Sequence, residues 1–204
     1  MAKKPSTRGV VDAAALAASQ LAELDARFAV IGGLAVGARG EPRYTRDVDL
    51  AIGVANDEEA ERLLFAMTRR GYSVVTVIEQ TRTGRLSTAR LRHPRDPEVF
   101  VDLLFASSGI EKEVVEGSER LAYRPGTELP VARVGHLIAL KVLSESDERL
   151  QDRIDLKVLG AVATDEDWAT ADAAVRLIKT RRYHRGRALL TRLRRWRAAS
   201  ARPA

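Results

Sequence analysis

Two aspartates separated by one residue, Asp47 and Asp49, open the apolar segment "DVDLAIGV". Because successive side chains of a β-strand point to opposite faces, the spacing predicts that both carboxylates share one face of a strand. Two adjacent carboxylates repel each other unless a cation neutralises them or one takes a proton. Hard oxygen ligands of this kind suit Mg²⁺. The pair therefore indicates a metal site, against the alternative of an ordinary charged strand end.

A third carboxylate, Asp102, interrupts the apolar run "VFVDLLF". Burying an aspartate in such a run without a partner is costly. If this strand lies beside the first, we expect Asp47, Asp49 and Asp102 to hold two metal ions. One ion would lower the pKa of an attacking hydroxyl, and the other would bind a triphosphate.

Two further features suit a phosphate ligand. Gly32 and Gly33 end an apolar segment thirteen residues before Asp47, and glycines there let backbone N–H groups of a following helix approach a phosphate. Lys141 lies among apolar residues in "HLIALKVL", where its charge needs a partner or a ligand. Asp152 and Asp155 share a helix face and could orient Lys141 or contact the nucleotide; the alternative is a solvated helix with surface ion pairs.

The elements that must position these residues follow from periodicity and turn signals. Helices are predicted over residues 10–26 and from the N-cap Asn56 to a stop at Gly71. Strands are predicted at "RFAVIGG", "VDLAIGV", "YSVVTVI", "LSTARLRH" and "EVFVDLLF", with "HPRDPE" as the last turn. From Arg133 the pattern is helical. We predict an α/β (α+β) fold with a mixed sheet flanked by helices in residues 1–125, followed by a helical region in residues 126–204.

The composition of the 204 residues excludes several classes of protein. The hydrophobic content of 45% suffices for a core, and the absence of cysteine excludes disulfides and thiolate metal sites. No apolar run approaches the roughly 18 residues that a membrane span needs. We expect a cytoplasmic protein that does not enter a membrane.

The net charge of +6 is concentrated at the C-terminal end, because the last 32 residues carry 11 Lys and Arg and no acid. Such a field attracts polyanions, so these arginines could bind RNA phosphates. Tyr183 or Trp196 could stack on a base. The apolar stripe of Leu189, Leu190, Leu193 and Trp196 indicates core packing, which favours an inward-facing Trp196.

The pattern GG-x13-DxD, together with "PRYTRDVDL", resembles the nucleotidyltransferase superfamily of the DNA polymerase β type. The resemblance is closest to the AbiEii-like toxins, including the MenT toxins, of type IV toxin–antitoxin systems. "VIGGLAVGARG" matches the phosphate motif, "RYTRDVDL" the metal motif with Arg43 and Thr45, and "VARVGHLIALKVLSES" with "RLQDRIDLKVL" the Lys and Asp motifs. The chain departs at Gly33, where many members have serine, and the third aspartate varies among these toxins.

The resemblance implies a nucleotidyltransferase-type sheet and Mg²⁺-dependent transfer of a nucleoside monophosphate from an NTP such as ATP. The implied acceptor is the tRNA 3′ end, whose modification blocks translation, and the implied partner is a cognate antitoxin. The site would comprise metal ligands Asp47, Asp49 and Asp102, nucleotide-binding residues Gly32, Gly33, Arg43, Thr45 and Lys141, and Asp155 in preference to Asp152. Two alternatives stay open: transfer to an antibiotic or a protein, and a non-catalytic RNA- or partner-binding protein on the same scaffold.

Overall fold

A computed structural model describes residues 7–201 as one mixed sheet covered by helices. The elements in chain order are α1 (Thr7–Ala22), β1 (Phe28–Ile31), α2 (Gly32–Arg39), β2 (Asp47–Ile52), α3 (Asp57–Thr68), β3 (Ser73–Glu79), β4 (Leu86–Arg92), β5 (Phe100–Leu104), α4 (Glu111–Glu116), β6 (Glu119–Arg124), β7 (Thr127–Val131), α5 (Val134–Ser144), α6 (Leu150–Val162), α7 (Asp165–Thr180) and α8 (Leu189–Ser200). The predicted fold class is confirmed.

The seven strands lie in the order β3-β4-β5-β2-β1-β7-β6. Strand β2 is central, antiparallel to β1 and parallel to β5. Val48 and Leu50 are fully buried on one face of β2, while Asp47 and Asp49 lie on the other and are only partly buried. The alternation read from "DVDL" is therefore present in the structure.

Helix α3 shows how local sequence sets an element. The Asn56 side chain accepts a hydrogen bond from the Glu59 N–H at 2.9 Å, as an N-cap residue does. The helix ends at Thr68 rather than at the predicted Gly71, because the chain turns at Arg69 and Arg70 before Gly71 adopts a positive φ of 92°. The predicted N-cap is correct, and the helix ends a few residues before the predicted stop.

Strands β6 and β7 form a hairpin that the sequence reading did not predict. Its turn contains the expected boundary at residue 125, and β7 pairs with β1 through Val30 and Val131. Residues 127–131 thus belong to the sheet, and the helical region begins at Val134. Charged residues in β6, the edge strand, hide the apolar alternation of a strand. The division into two units stays a prediction.

The C-terminal helix packs into the helical layer through its apolar stripe. Leu189, Leu193 and Trp196 are buried, as predicted. Trp196 Nε1 donates to the Glu145 carboxylate at 3.1 Å, and Tyr183 is also buried, so neither ring is open to stack on a base. Within residues 7–201 no helix is long and apolar enough to cross a membrane.

A candidate active site at the strands β2 and β5

The three predicted carboxylates lie on one face of neighbouring strands. Asp49 of β2 is directly opposite Asp102 of β5, and Asp47 is opposite Phe100. The expectation that the two aspartate-bearing strands are adjacent is therefore correct. On the far side of β5, Arg90 of β4 stands opposite Asp102.

Arg90 occupies both oxygens of the third carboxylate. Its Nε donates to Asp102 Oδ1 at 2.8 Å and one terminal nitrogen donates to Asp102 Oδ2 at 2.7 Å; the same nitrogen also reaches Asp47 Oδ2 at 3.3 Å. These bonds raise the pKa of the guanidinium. Within the described part of the chain no three acidic or histidine side chains are arranged to hold a metal ion. Asp102 is thus paired with an arginine in this structure, and the three-carboxylate metal site stays a prediction.

Asp47 and Asp49 are the other two predicted metal ligands. Burial, reinforced by the neighbouring Asp102, raises the pKa of Asp49 to about 6, and burial also raises the pKa of Asp47. No side-chain hydrogen bond to Asp49 is formed among residues 7–201, and the charges of Lys141 and Arg90 only partly oppose the effect of burial and of the neighbouring carboxylates. Two carboxylates that lie this close together and are partly buried fit a divalent hard cation.

The glycine pair lies against this carboxylate pair. Gly32 has a φ of +62°, and a Cβ there would be 1.9 Å from Asp49 Oδ2. A Cβ on Gly33 would be 2.7 Å from a terminal nitrogen of Arg43 and 2.8 Å from Thr45 Oγ1. The N-cap of α2, Ile31, offers no side-chain cap, so the first backbone N–H groups of this helix have no such acceptor. Arg43, Thr45 and these N–H groups converge on one place, as a phosphate site requires.

Lys141 enters the same place from α5 and is held by two buried carboxylates. Its Nζ lies 2.8 Å from Asp152 Oδ1 and 2.8 Å from Asp155 Oδ2. Asp155, which is fully buried, also accepts from Arg43 at 3.0 Å and from Gln151 at 3.0 Å. Burial acts to raise the pKa of Asp155, but the hydrogen bond and charge of Lys141 outweigh it and hold the pKa below its ordinary value. The structure therefore brings both candidate aspartates to Lys141 and joins only Asp155 to Arg43.

A cavity of about 170 Å³ opens beside Asp49 and Lys141. Its walls combine apolar residues with polar residues from three loops and from α5: Ile31, Gly32, Leu104, Ser107, Ser108, Leu137, Leu140, Leu143, Ser144, Arg149 and Arg185. Ligand pockets usually measure at least about 300 Å³, so this one is sized for part of a nucleotide. A larger cavity of about 680 Å³ lies between α1 and the β6–β7 hairpin, and none of the predicted site residues lines it.

Sequence reasoning missed two parts of this site, Arg90 and the loop residues of the cavity. Ser107, Ser108 and Arg185 have no motif-like spacing, and only folding brings Arg185 to the Ser107 carbonyl at 3.1 Å. The predicted β4–β5 hairpin brings Arg90 close to Asp102 in the sequence reading but not opposite it, because the predicted turn is one residue out of the observed register.

Solved structures share this fold. An antigenic nucleotidyltransferase-like protein from Paracoccidioides brasiliensis is 16% identical with a TM-score of 0.56, covering 93% of this chain and 94% of that one. The lincomycin-bound lincosamide antibiotic adenylyltransferase LnuA is 10% identical with a TM-score of 0.50, covering 79% of this chain and 100% of that one. At these identities the likeness concerns the fold alone. No curated protein matches the sequence significantly.

The family assignment comes from the sequence over almost its whole length. The family described as the nucleotidyl transferase AbiEii toxin of type IV toxin–antitoxin systems matches residues 14–203, a span that includes the glycine pair, the Asp47–Asp49 pair and Lys141 with its aspartates. A protein of this family is a nucleotidyltransferase that takes an NTP as co-substrate and has a cognate antitoxin. The chain belongs to the AbiEii family of nucleotidyltransferase toxins.

Proposed function

We propose that this protein transfers a nucleoside monophosphate from an NTP to the 3′-terminal hydroxyl of tRNA in a Mg²⁺-dependent reaction, and that the product blocks translation in the cytoplasm. The observation that carries the proposal is the Asp47–Asp49 carboxylate pair beside the glycine turn, Arg43 and Lys141. The basic C-terminal end of the chain is consistent with an RNA acceptor.

Different residues of the chain would bind the metal ion and the NTP. Asp47 and Asp49 would hold Mg²⁺, which when bound supplies positive charge to the triphosphate and the attacking hydroxyl. The α2 N–H groups at Gly32 and Gly33, with Arg43, Thr45 and Lys141, would bind the phosphates. The cavity beside Asp49 would receive the nucleoside.

Asp155 and Asp102 act through the cations they hold. Asp155 keeps Lys141 and Arg43 on the phosphate side of the site, and Asp152 adds a second partner to Lys141. Asp102 holds Arg90, whose guanidinium also donates to Asp47. Attack by the acceptor oxygen on the α-phosphorus then forms the new P–O bond and releases pyrophosphate.

The test is transfer of label from each α-labelled NTP with Mg²⁺, offered separately to total RNA, an aminoglycoside, a lincosamide and a protein mixture. We expect label on RNA, and Asp49→Asn should reduce it at least about 100-fold, since it removes a metal ligand. Asp172→Asn is the matched control, because within residues 7–201 Asp172 forms its ion pair with Arg176 on α7, away from the predicted site residues. Label on a drug or a protein with none on RNA would overturn the proposal. If Asp49→Asn leaves every phenotype of the protein unchanged, a non-catalytic binding protein would be favoured.

A further inference from the structure

Arg90, Asp102 and Asp49 stand in one row across three neighbouring strands. Arg90 of β4 is opposite Asp102 of β5, which in turn is opposite Asp49 of β2. Residues that are directly opposite each other share a face of the sheet, and neighbouring strands are about 4.8 Å apart. The register of the backbone therefore places a positive charge beside the third predicted metal ligand.

The guanidinium of Arg90 joins two of the three carboxylates. It binds both oxygens of Asp102, at 2.8 and 2.7 Å, and reaches Asp47 Oδ2 at 3.3 Å. The ring of Phe100, which is opposite Asp47, has its centre 5.3 Å from Arg90 Cζ. A planar guanidinium matches a carboxylate at two points and is also attracted to an aromatic ring. Two carboxylates and a ring thus hold Arg90 in this position.

A second metal ion would need the oxygens that Arg90 occupies. In the two-ion site expected from the sequence, Asp102 supplies ligands to the metal ions. Both of its oxygens here accept hydrogen bonds from Arg90, and a divalent ion in the same place would lie against a positive charge. Asp49 and the other oxygen of Asp47 accept no side-chain hydrogen bond within residues 7–201, so they are open to one ion.

The charges of the carboxylates balance with one divalent ion. Asp47, Asp49 and Asp102 carry three negative charges when all are ionised. Arg90 supplies one positive charge, and a single Mg²⁺ supplies the other two. A second Mg²⁺ would add two positive charges to a group that already contains a fixed cation, and like charges this close repel each other.

We propose that Arg90 takes the place of a second metal ion, so that the chain holds a single Mg²⁺ at Asp47 and Asp49; this inference rests on the proposed function. It replaces the expectation of two ions that the three aspartates raised. The side chain of Arg90 is 39% exposed, and its remaining terminal nitrogen donates to no acceptor within residues 7–201. This nitrogen can donate to an oxygen of the bound substrate.

The experiment measures how many Mn²⁺ ions, used in place of Mg²⁺, bind to the full chain saturated with each NTP in its non-transferable α,β-methylene form. Equilibrium dialysis gives the number of ions, and electron paramagnetic resonance shows whether they are neighbours. The wild type should bind one Mn²⁺ with the spectrum of an isolated ion. Arg90→Gln frees the Asp102 carboxylate and should bind two, and ions about 4 Å apart broaden each other's signals.

Three further variants separate the role of Arg90 from a general loss of charge. Arg92→Gln is the matched control, because Arg92 lies on the same strand and 5.2 Å from the Phe100 ring, but donates to the Pro97 carbonyl; it should bind one Mn²⁺. Arg90→Gln/Asp102→Asn should again bind one, since the freed carboxylate is removed. Asp102→Asn alone should bind one, as the wild type does, and it decides the matter if circular dichroism shows that Arg90→Gln does not fold.

Several outcomes would overturn the assignment of Arg90. They are two Mn²⁺ ions on the wild type, one on a folded Arg90→Gln, two on Arg92→Gln, or loss of an ion in Asp102→Asn. If these occur while the wild type still labels RNA, only the role of Arg90 fails. If the wild type binds no Mn²⁺ with any NTP analogue, both this assignment and the proposed metal-dependent function fail.

Discussion

At the scale of single residues, Gly32 and Asp49 lie so close together that no side chain fits at Gly32. A Cβ at Gly32 would overlap the Asp49 carboxylate, and the φ of +62° is one that side chains other than glycine rarely adopt. Gly33 differs, because it has no positive φ and its Cβ would meet the end of the Arg43 side chain and the Thr45 hydroxyl. The two glycines therefore have different tolerances to substitution.

Replacing Gly32 by alanine should damage the site far more than the same change at Gly33. Gly32→Ala displaces Asp49 and adds about 1–2 kcal/mol of backbone strain, so we expect nucleotide transfer to fall at least about 100-fold. Gly33→Ala requires only that Arg43 and Thr45 shift, and we expect a loss of less than about tenfold. Transfer rates of the two variants at saturating NTP, with circular dichroism to check folding, measure the difference. Equal losses would contradict this account of the turn.

Arg90 shows why residue-level prediction reached the aspartates but not their partner. The apolar run around Asp102 made its burial, and hence its need for a partner, visible in the sequence. Finding that partner required the register of the β4–β5 hairpin, in which Arg90 pairs with Asp102 and Arg92 with Phe100. A turn centred on the predicted residues 93–98 is one residue out of that register, and a one-residue slip points a side chain to the other face. The choice between a metal and an arginine for Asp102 thus depended on long-range pairing.

At the scale of elements, Asp155 joins α6 to α5 and to the loop before β2. It is fully buried and contacts both Lys141 and Arg43, whereas Asp152 contacts Lys141 and Arg149. Removing one partner of a buried ion pair is costly, because it leaves a buried charge without compensation. Asp155 is thus the carboxylate on which two cations of the site depend.

Asp155→Ala should therefore destabilise the protein more than Asp152→Ala. We expect a loss of about 3–5 kcal/mol in the free energy of unfolding for Asp155→Ala, and roughly half of that for Asp152→Ala, since Lys141 then keeps Asp155. Urea unfolding at neutral pH measures both. A larger loss for Asp152→Ala would reverse the assignment of the joining carboxylate.

His136, in the interior of α5, makes stability depend on pH. Burial lowers its pKa, with Arg133 acting in the same direction and Glu113 partly opposing. As pH falls below the ordinary histidine value of about 6.5, the unfolded chain takes up a proton that the native state does not, so unfolding becomes easier until the lowered native pKa is passed. His136→Gln should flatten this slope, which is at most about 1.4 kcal/mol per pH unit. Unfolding curves of variant and wild type between about pH 7 and 5 compare the slopes, and parallel slopes would contradict the prediction.

Element prediction succeeded where the signal was local. The N-cap of α3 and the stop of β1 at the glycines follow from neighbouring residues, and both are found in the structure. The β6–β7 hairpin was missed because its membership of the sheet rests on pairing with β1, about a hundred residues earlier in the chain.

At the scale of the whole molecule, the fold brings residues from distant parts of the chain to one place on the sheet. The glycine turn, Lys141 and the cavity lie beside Asp49. The sequence placed RNA binding at the basic C-terminal end, but a charge count does not distinguish arginines that cap α5 from arginines that are open to a ligand. Only the folded arrangement makes that distinction.

The central claim is transfer of a nucleoside monophosphate to an RNA 3′ end, and the mass of the RNA tests it most directly. Purified tRNA is incubated with the protein, Mg²⁺ and each NTP in turn. The mass of the 3′-terminal fragment of the tRNA is then measured by mass spectrometry. The account predicts added mass equal to whole nucleotides at the 3′ terminus, absent with Asp49→Asn and absent when the terminal hydroxyls are oxidised beforehand. An unchanged 3′-terminal mass with every NTP, under conditions where the protein modifies a drug or a protein, would contradict it.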